Sequence, residues 1–273
     1  MASTTGTSTD VPGIPHIHLL CMQERFSDAF EAARQKHTLS PSITRNITVH
    51  NHPLSKLPST VRFDTIVSPA NSYGRLDGAF DDAISHALAP TDDYYALTRA
   101  AQRRLYEQWR GFAPPGSCTL VHIPDDFHAR SRNVWGARRV ALCPTMRVPD
   151  DARWDREIVY ECVWSLLCAV DNHNRAVRAA GGGDDDDDDD RDEIRSILMT
   201  PLGTGIGAIT PERWASQAVL ALKHFHDACA NPDKWSAIGW TEAEYYADEV
   251  EKTWKEGRDE GKTGSVIDYL KSR

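Results

Sequence analysis

The order of apolar and polar positions divides the chain into alternating strand-like and helix-like stretches. Ile17-His-Leu-Leu-Cys-Met22 is a short apolar run that reads as a strand, and Gln23 to Lys36 follows with Phe26, Ala29, Phe30 and Ala33 at helical spacing. Ile43 to His50 alternates apolar and polar residues, as a strand with one solvated face does. Phe63 to Val67 predicts another strand, which runs into the loop chemistry of Ser68-Pro-Ala-Asn-Ser-Tyr-Gly74. Helices are expected over 76–88 and 92–109, separated near Ala89-Pro90-Thr91. Strands follow at 117–123 and 137–142, the second ending at Cys143-Pro144 because proline cannot donate within a central ladder. Arg153 to Val170 carries a helical stripe of Val159, Val163, Trp164, Leu167 and Val170. Ile194 to Met199 is strand-like and Pro201 to Ile209 a Gly-rich loop. Pro211 to Cys229 is a helix with Thr210 as N-cap and Pro211 at its first position. The polar, Trp-bearing end, Asn231 to Arg273, predicts one or two peripheral helices.

This alternation predicts a three-layer α/β/α sandwich around a mixed, mostly parallel sheet of about six strands. Residues 14–230 are expected to form one domain, with a disordered tail over 1–13, a disordered insertion over 171–192 and a helical extension over 231–273.

Charge sharpens the reading of that insertion. The chain has 273 residues and a formal net charge of −9. Asp184 to Glu193 holds nine acids and one Arg, so it supplies −8, leaving about −1 for everything else. Adjacent like charges repel and bury nothing, which predicts a solvated loop. Without clustered Lys and Arg, the chain is no phosphate-backbone platform, and no sequence-specific nucleic-acid partner is expected. Six widely spaced Cys with no C-x-x-C pair suit reduced thiols. Met1 to Pro12 lacks the basic and apolar regions of a signal peptide, and no run approaches 18 apolar residues. A cytoplasmic or nuclear protein without a membrane partner is the expectation.

Two post-strand loops can carry chemistry, because open α/β sheets bind ligands at strand carboxyl ends. In Leu202-Gly-Thr-Gly-Ile-Gly-Ala-Ile209, three glycines let backbone amides approach a ligand ahead of a helix start, which suits a diphosphate. A connecting turn is the bland reading. Gly203, Gly205 and Ala208 formally match the dinucleotide fingerprint, but that motif opens the first βαβ unit and this one follows the last strand. No Gly-Lys-Ser/Thr follows, which excludes a Walker loop. In Ser68 to Phe80, Asn71 offers donor and acceptor to a ribose diol, and Asp77 precedes Gly78 at a helix start. Turn Asn and Asp more often cap local backbone. The pairs His16/His18, His50/His52 and His224/His226 lack a nearby third ligand, so no metal site is assigned. Tyr73, Phe80 and Trp135 are aromatic candidates for stacking on a base.

Val67-Ser-Pro-Ala-Asn71, Asp77-Gly-Ala-Phe-Asp-Asp-Ala-Ile84 and Pro201-Leu-Gly-Thr-Gly-Ile-Gly207 together resemble the macrodomain family over about residues 14–230. Ala141-Leu-Cys-Pro-Thr-Met-Arg-Val-Pro149 resembles a segment of a fungal and phage-like branch. The resemblance implies binding of ADP-ribose or an ADP-ribosylated macromolecule, and, in some members, hydrolysis of ADP-ribosyl conjugates or ADP-ribose 1″-phosphate. It implies Asn71 and Asp77 as the catalytic pair, Asn71 on the distal ribose and Asp77 near the scissile bond. It further implies a ligand contact set of Ser68, Ala70, Asn71, Gly78 and Ala79 with Gly203, Thr204, Gly205, Ile206 and Gly207, and no cofactor. The chain departs in two places. Only Ser72-Tyr-Gly-Arg-Leu76 separates Asn71 from Asp77, and His50-Asn-His-Pro53 stands where an adenine-binding aspartate is usual, leaving Asn51 as a substitute. A non-catalytic ADP-ribose reader is therefore the alternative. Deleting residues 181–192 is expected to leave ADP-ribose affinity nearly unchanged at physiological salt, where exposed charges are screened beyond about 8 Å. A large change in a calorimetric titration would put the acidic segment in the site.

Overall fold

Parallel pairing organises the molecule. The computed structural model describes residue 11, residues 13–180 and residues 192–255. Its strands are β1 (His16–Leu20), β2 (Ile47–His50), β3 (Thr65–Ser68), β4 (Thr119–His122), β5 (Arg139–Leu142) and β6 (Ser196–Met199). They form one six-stranded sheet in the order β2-β1-β6-β3-β5-β4, with β4 alone antiparallel to its neighbour. The helices are α1 (Glu24–Lys36), α2 (Pro41–Arg45), α3 (Ala79–Leu88), α4 (Ala96–Trp109), α5 (Asp125–His128), α6 (Ile158–Ala179), α7 (Pro211–Ala230), α8 (Pro232–Trp235) and α9 (Trp240–Lys255).

Alternate strand residues feed two cores. Ile17, Leu19, Val67, Ala141, Ile197 and Met199 face α1, α6 and α7, around a fully buried Trp214 set against Phe26 and Phe30. Leu20, Ile66, Val140, Leu142 and Leu198 face α3 and α4. The result is the three-layer sandwich that the sequence pattern predicts. All six cysteines are free, and among the described residues no helix is long and apolar enough to cross a membrane.

Three expectations need correction. Ile43 to Arg45 is helical, because Ser40 accepts the Ile43 amide and Pro41 starts a turn that ends before β2. Residues 171–179, read as disordered, extend α6, where Asn174 bonds both the amide and the carbonyl of Ile194. Val11 and Gly13, read as tail, lie against the fold: Val11 is buried and pairs with Ile14, and Gly13 abuts Cys229 and Phe225. The Asp184–Asp190 run and residues 1–10 lie outside the described residues. Asp192, beyond that run, pairs with Arg138 at the amino ends of β5 and β6, the sheet edge opposite the loops that follow β3 and β6.

Register also joins two histidine pairs. His18 opposes Thr48 and Leu20 opposes His50, so His16, His18 and His50 share a sheet face and His52 continues the row. Ring centroids step by 4.6, 5.3 and 5.8 Å, and His18 Nδ1 lies 3.1 Å from His50 Nε2. Among the described residues, no three His, Cys, Asp or Glu are placed to hold a metal. Burial first, then the His16 and His50 charges, push the His18 imidazole down to about 4, while its bond to the Arg62 carbonyl opposes them. Between pH 4 and the ordinary 6.5 the unfolded chain therefore binds the extra proton, and stability is lost as pH falls through that window. His18→Gln is expected to remove roughly 1–2 kcal/mol of the difference between unfolding free energies measured by denaturant titration at pH 7.5 and 4.5. An unchanged difference would exclude His18 as its source.

Candidate functional site

The two candidate loops are neighbours because their strands are. β3 pairs with β6 through Thr65–Ile197 and Ile66–Leu198, so the loop after Ser68 and the loop after Met199 leave the same sheet edge side by side. A third segment, from β5, crosses between them. The Thr145 amide bonds the Ala70 carbonyl at 3.1 Å, and the Ser72 amide bonds the Met146 carbonyl at 3.1 Å. Further on, the Ala152 amide bonds the Gly207 carbonyl at 3.0 Å. Residues 145–152 thus tie both loops to one strut, which sequence reading did not assign to the site.

The Gly-rich loop has glycines of two kinds. Gly203 is required by the chain itself, with φ +71° and a missing Cβ that would lie 2.7 Å from Ile209. Gly207 is required by packing, since a Cβ would lie 2.5 Å from the Gly203 carbonyl oxygen. Gly205 has neither reason: it is exposed, and a Cβ there meets nothing within 4 Å. Thr204 bonds back to the Pro201 carbonyl, and Ile206 is exposed. The loop leads into α7, whose Thr210 hydroxyl caps the Arg213 amide.

The second loop repeats the feature. Gly78, with φ −141°, precedes α3, and a Cβ on it also meets nothing within 4 Å. Among the described glycines only Gly78 and Gly205 face open space in this way, one in each loop. Each loop also holds an alanine in the left-handed region, Ala79 (φ 51°) and Ala208 (φ 56°), a conformation that costs an L-residue about 1 kcal/mol or more.

The polar side chains are largely occupied. Asn71 is half-buried and caps its own turn: Oδ1 accepts the Tyr73 and Arg75 amides, and Nδ2 donates to the Arg75 carbonyl at 2.8 Å. Asp77 accepts from Arg75 Nε at 3.0 Å and from its Nη2. Ser68 is fully buried and gives its hydroxyl to Asp81 at 2.6 Å, and Ala70 is buried too, so neither side chain is offered to a ligand. Of the stacking candidates, Phe80 and Trp135 belong to the core, Trp135 stacked on Phe63, while Tyr73 is exposed.

Besides that strut, Asp81 is a residue to which sequence reading gave no role. It is 6% exposed, and burial foremost pushes its carboxyl up to about 7, with the Asp77 charge adding and the Ser68 hydrogen bond opposing. The available signal was an acid sharing a helical face with Ile84 and Leu88, at spacings of three and seven.

No protein-family model matches the chain, and no curated protein matches it. Solved structures of similar fold do. A mutant of the Oceanobacillus iheyensis macrodomain with ADPR is 16% identical, covers 62% of this chain and 73% of its own, and has a TM-score of 0.41. The macrodomain of Mycobacterium tuberculosis DarG is 15% identical over 62% of this chain and 86% of its own, with a TM-score of 0.39. The Oryza sativa APL macrodomain in complex with ADP-ribose is 16% identical over 59% and 96%, with a TM-score of 0.35.

The two kinds of glycine separate by stability. Gly205→Ala and Gly78→Ala are expected to leave unfolding free energy unchanged or raise it by up to about 1 kcal/mol. Gly207→Ala should lower it by about 1–3 kcal/mol through its clash with backbone. Equal losses at all three positions in thermal melts would mean that Gly78 and Gly205 are held by the fold after all.

Proposed function

We propose that this protein binds ADP-ribose in the manner of a macrodomain, with the diphosphate on the amides of Gly203–Gly207 and the distal ribose against Asn71–Ala79. The observation that carries this reading is the pair of glycines facing open space. Glycine costs backbone entropy, and neither φ nor packing requires it at Gly78 or Gly205. A ligand pressed against the backbone would account for both. The pairing of β3 with β6 sets the loops close enough for one extended ligand to touch both, and the start of α7 adds a partial positive charge for a diphosphate.

Within this reading, binding without turnover is favoured over hydrolysis. Asn71 is committed to its own turn and Asp77 to Arg75, so a water-activating role would require both sets of bonds to be exchanged. Nothing else among the loop residues replaces that carboxylate, because Asp81 is buried beneath them. The ligand is then a recognition mark, free or attached to a macromolecule.

Titration calorimetry with ADP-ribose is expected to give saturable heat for the parent protein and none for Gly205→Ala at equal thermal stability. Absence of heat from the parent at millimolar ligand would sink the proposal. Incubated with ADP-ribosylated protein or ADP-ribose 1″-phosphate, the parent should form a lasting complex without release. Release that Asp77→Ala abolishes would make the protein a hydrolase instead.

A further inference from the structure

The ligand loop stands on two feet, the last residue of β3 and the first turn of α3, and one buried bond joins them. Ser68 closes β3 at 0% exposure and donates its hydroxyl to Asp81 Oδ1 at 2.6 Å, and Asp81 is the third residue of α3. Residues 69–80, with Asn71, Asp77 and Gly78, arch between them. Other ties of this arch include the strut's bonds to Ala70 and Ser72, the Ala113 amide on the Ser72 carbonyl at 2.9 Å, the Asn71 cap, the Leu76 amide on the Thr98 hydroxyl at 3.2 Å, the Ser85 hydroxyl on the Leu76 carbonyl at 2.5 Å, and the exposed Arg75–Asp77 pair. Among these ties, the Ser68–Asp81 bond is the buried one that carries an ionisable group.

The charges around Asp81 set what ionisation would do. Asp77, in the same arch, is a like charge whose partner is Arg75. Asp82, the next residue along α3, is engaged with Tyr94 and His86. From β3 only the Ser68 hydroxyl meets Asp81, and from α4 Thr98 meets the arch at Leu76. A charge at Asp81 would thus be dry, close to Asp77, and beneath a loop proposed to receive an anion. All three circumstances disfavour it.

We propose that Asp81 is a positioning residue of the ligand loop: neutral, it clasps Ser68 beneath an arch that accepts an anionic ligand, and a proton is taken up there when the ligand binds to the ionised form. This rests on the ADP-ribose reading. The direction follows from linkage, since an anion that binds better to the neutral carboxyl must in turn raise that carboxyl's hold on its proton. The proton comes from bulk solvent or buffer and forms the carboxyl O–H bond, and no bond between heavy atoms changes. Burial already holds the carboxyl up to about 7, so the exchange falls in an accessible range.

Asp81→Asn keeps an acceptor for the Ser68 hydroxyl and removes the titration. Between pH 6 and 8 the parent's affinity for ADP-ribose should weaken by about fivefold or more. Titrations at pH 7.5 in buffers of different ionisation enthalpy should show net proton uptake. Asp81→Asn should bind at all these pH values as the parent does at pH 6, with no proton uptake. The same pH dependence in both proteins, or none in the parent, would overturn the proposal. Hydrogen exchange without ligand separates failure of the clasp from failure of the ADP-ribose reading. Corrected for intrinsic rates, the Ser72 and Gly74 amides should exchange faster at pH 8 than at pH 6 in the parent and not in Asp81→Asn. If that holds while neither protein binds ADP-ribose, the ligand reading falls and the clasp stands. If it fails, the clasp falls whatever binds.

Discussion

The pairing of β3 with β6 is the constraint on which the rest of the site depends. The strands are separated by nearly half the sequence, yet they are adjacent at the centre of the sheet, and both run the same way. Parallel direction puts both carboxyl ends at one edge, and adjacency puts their loops within reach of one ligand. Neither loop could form a two-sided site alone. A one-residue slip of β6 would exchange the faces of Ile197, Leu198 and Met199 and strip both cores at once, so the register that fills the cores also positions the loops.

That edge is held from behind by elements remote from it. The segment from β5 ties Ala70 and Ser72 on one side and Gly207 on the other. Its continuation has no regular structure, and α7 supplies the missing partners: Arg213 donates to the carbonyls of Arg153 and Asp155, and Gln217 donates to that of Arg156. Gln217 is fully buried and also bonds Thr253 of α9, while Trp254 bonds Glu157 and lies under Arg156. The helix α9 therefore stands two contacts from the Gly-rich loop. It docks through Glu249, which meets Lys223 and the buried His224, so the terminal extension is a working part of the frame.

Legibility in the sequence followed the range of the physics. Strands, long helices and both loops could be read because hydrophobic period and turn chemistry are local. The Thr210–Pro211 start of α7 was read from its cap, and the equivalent Ser40–Pro41 signature was overridden by the alternating pattern read from Ile43 onward. What could not be read was set by pairing. His16/His18 and His50/His52 are separate pairs in sequence and one row in space only because β1 and β2 align. The strut over residues 145–152 overlaps the Ala141–Pro149 segment, but its role could not be read there, since it is made of backbone hydrogen bonds whose partners lie in the loops after other strands. The roles carried over to Asn71 and Ser68 by resemblance meet side chains already engaged within the chain.

Asp77 and Asp81 show how placement divides one residue type into two tasks. They lie four residues apart at the start of α3, where helix amides favour acidic side chains in the first turn. Asp77 precedes the helix and stays wet, and Arg75 answers its charge. Asp81 falls on the inward face with Ile84 and Leu88, where water cannot answer a charge and one hydroxyl is the partner available. The helix dipole by itself favours the charged form of an acid at a helix start. Burial works against it at Asp81 only, because the helical period turns that position toward the core. The same period that lets α3 pack on the sheet therefore places an acid whose carboxyl is pushed up by burial under the loop, and the fold could not turn Asp81 outward without turning Ile84 and Leu88 out with it.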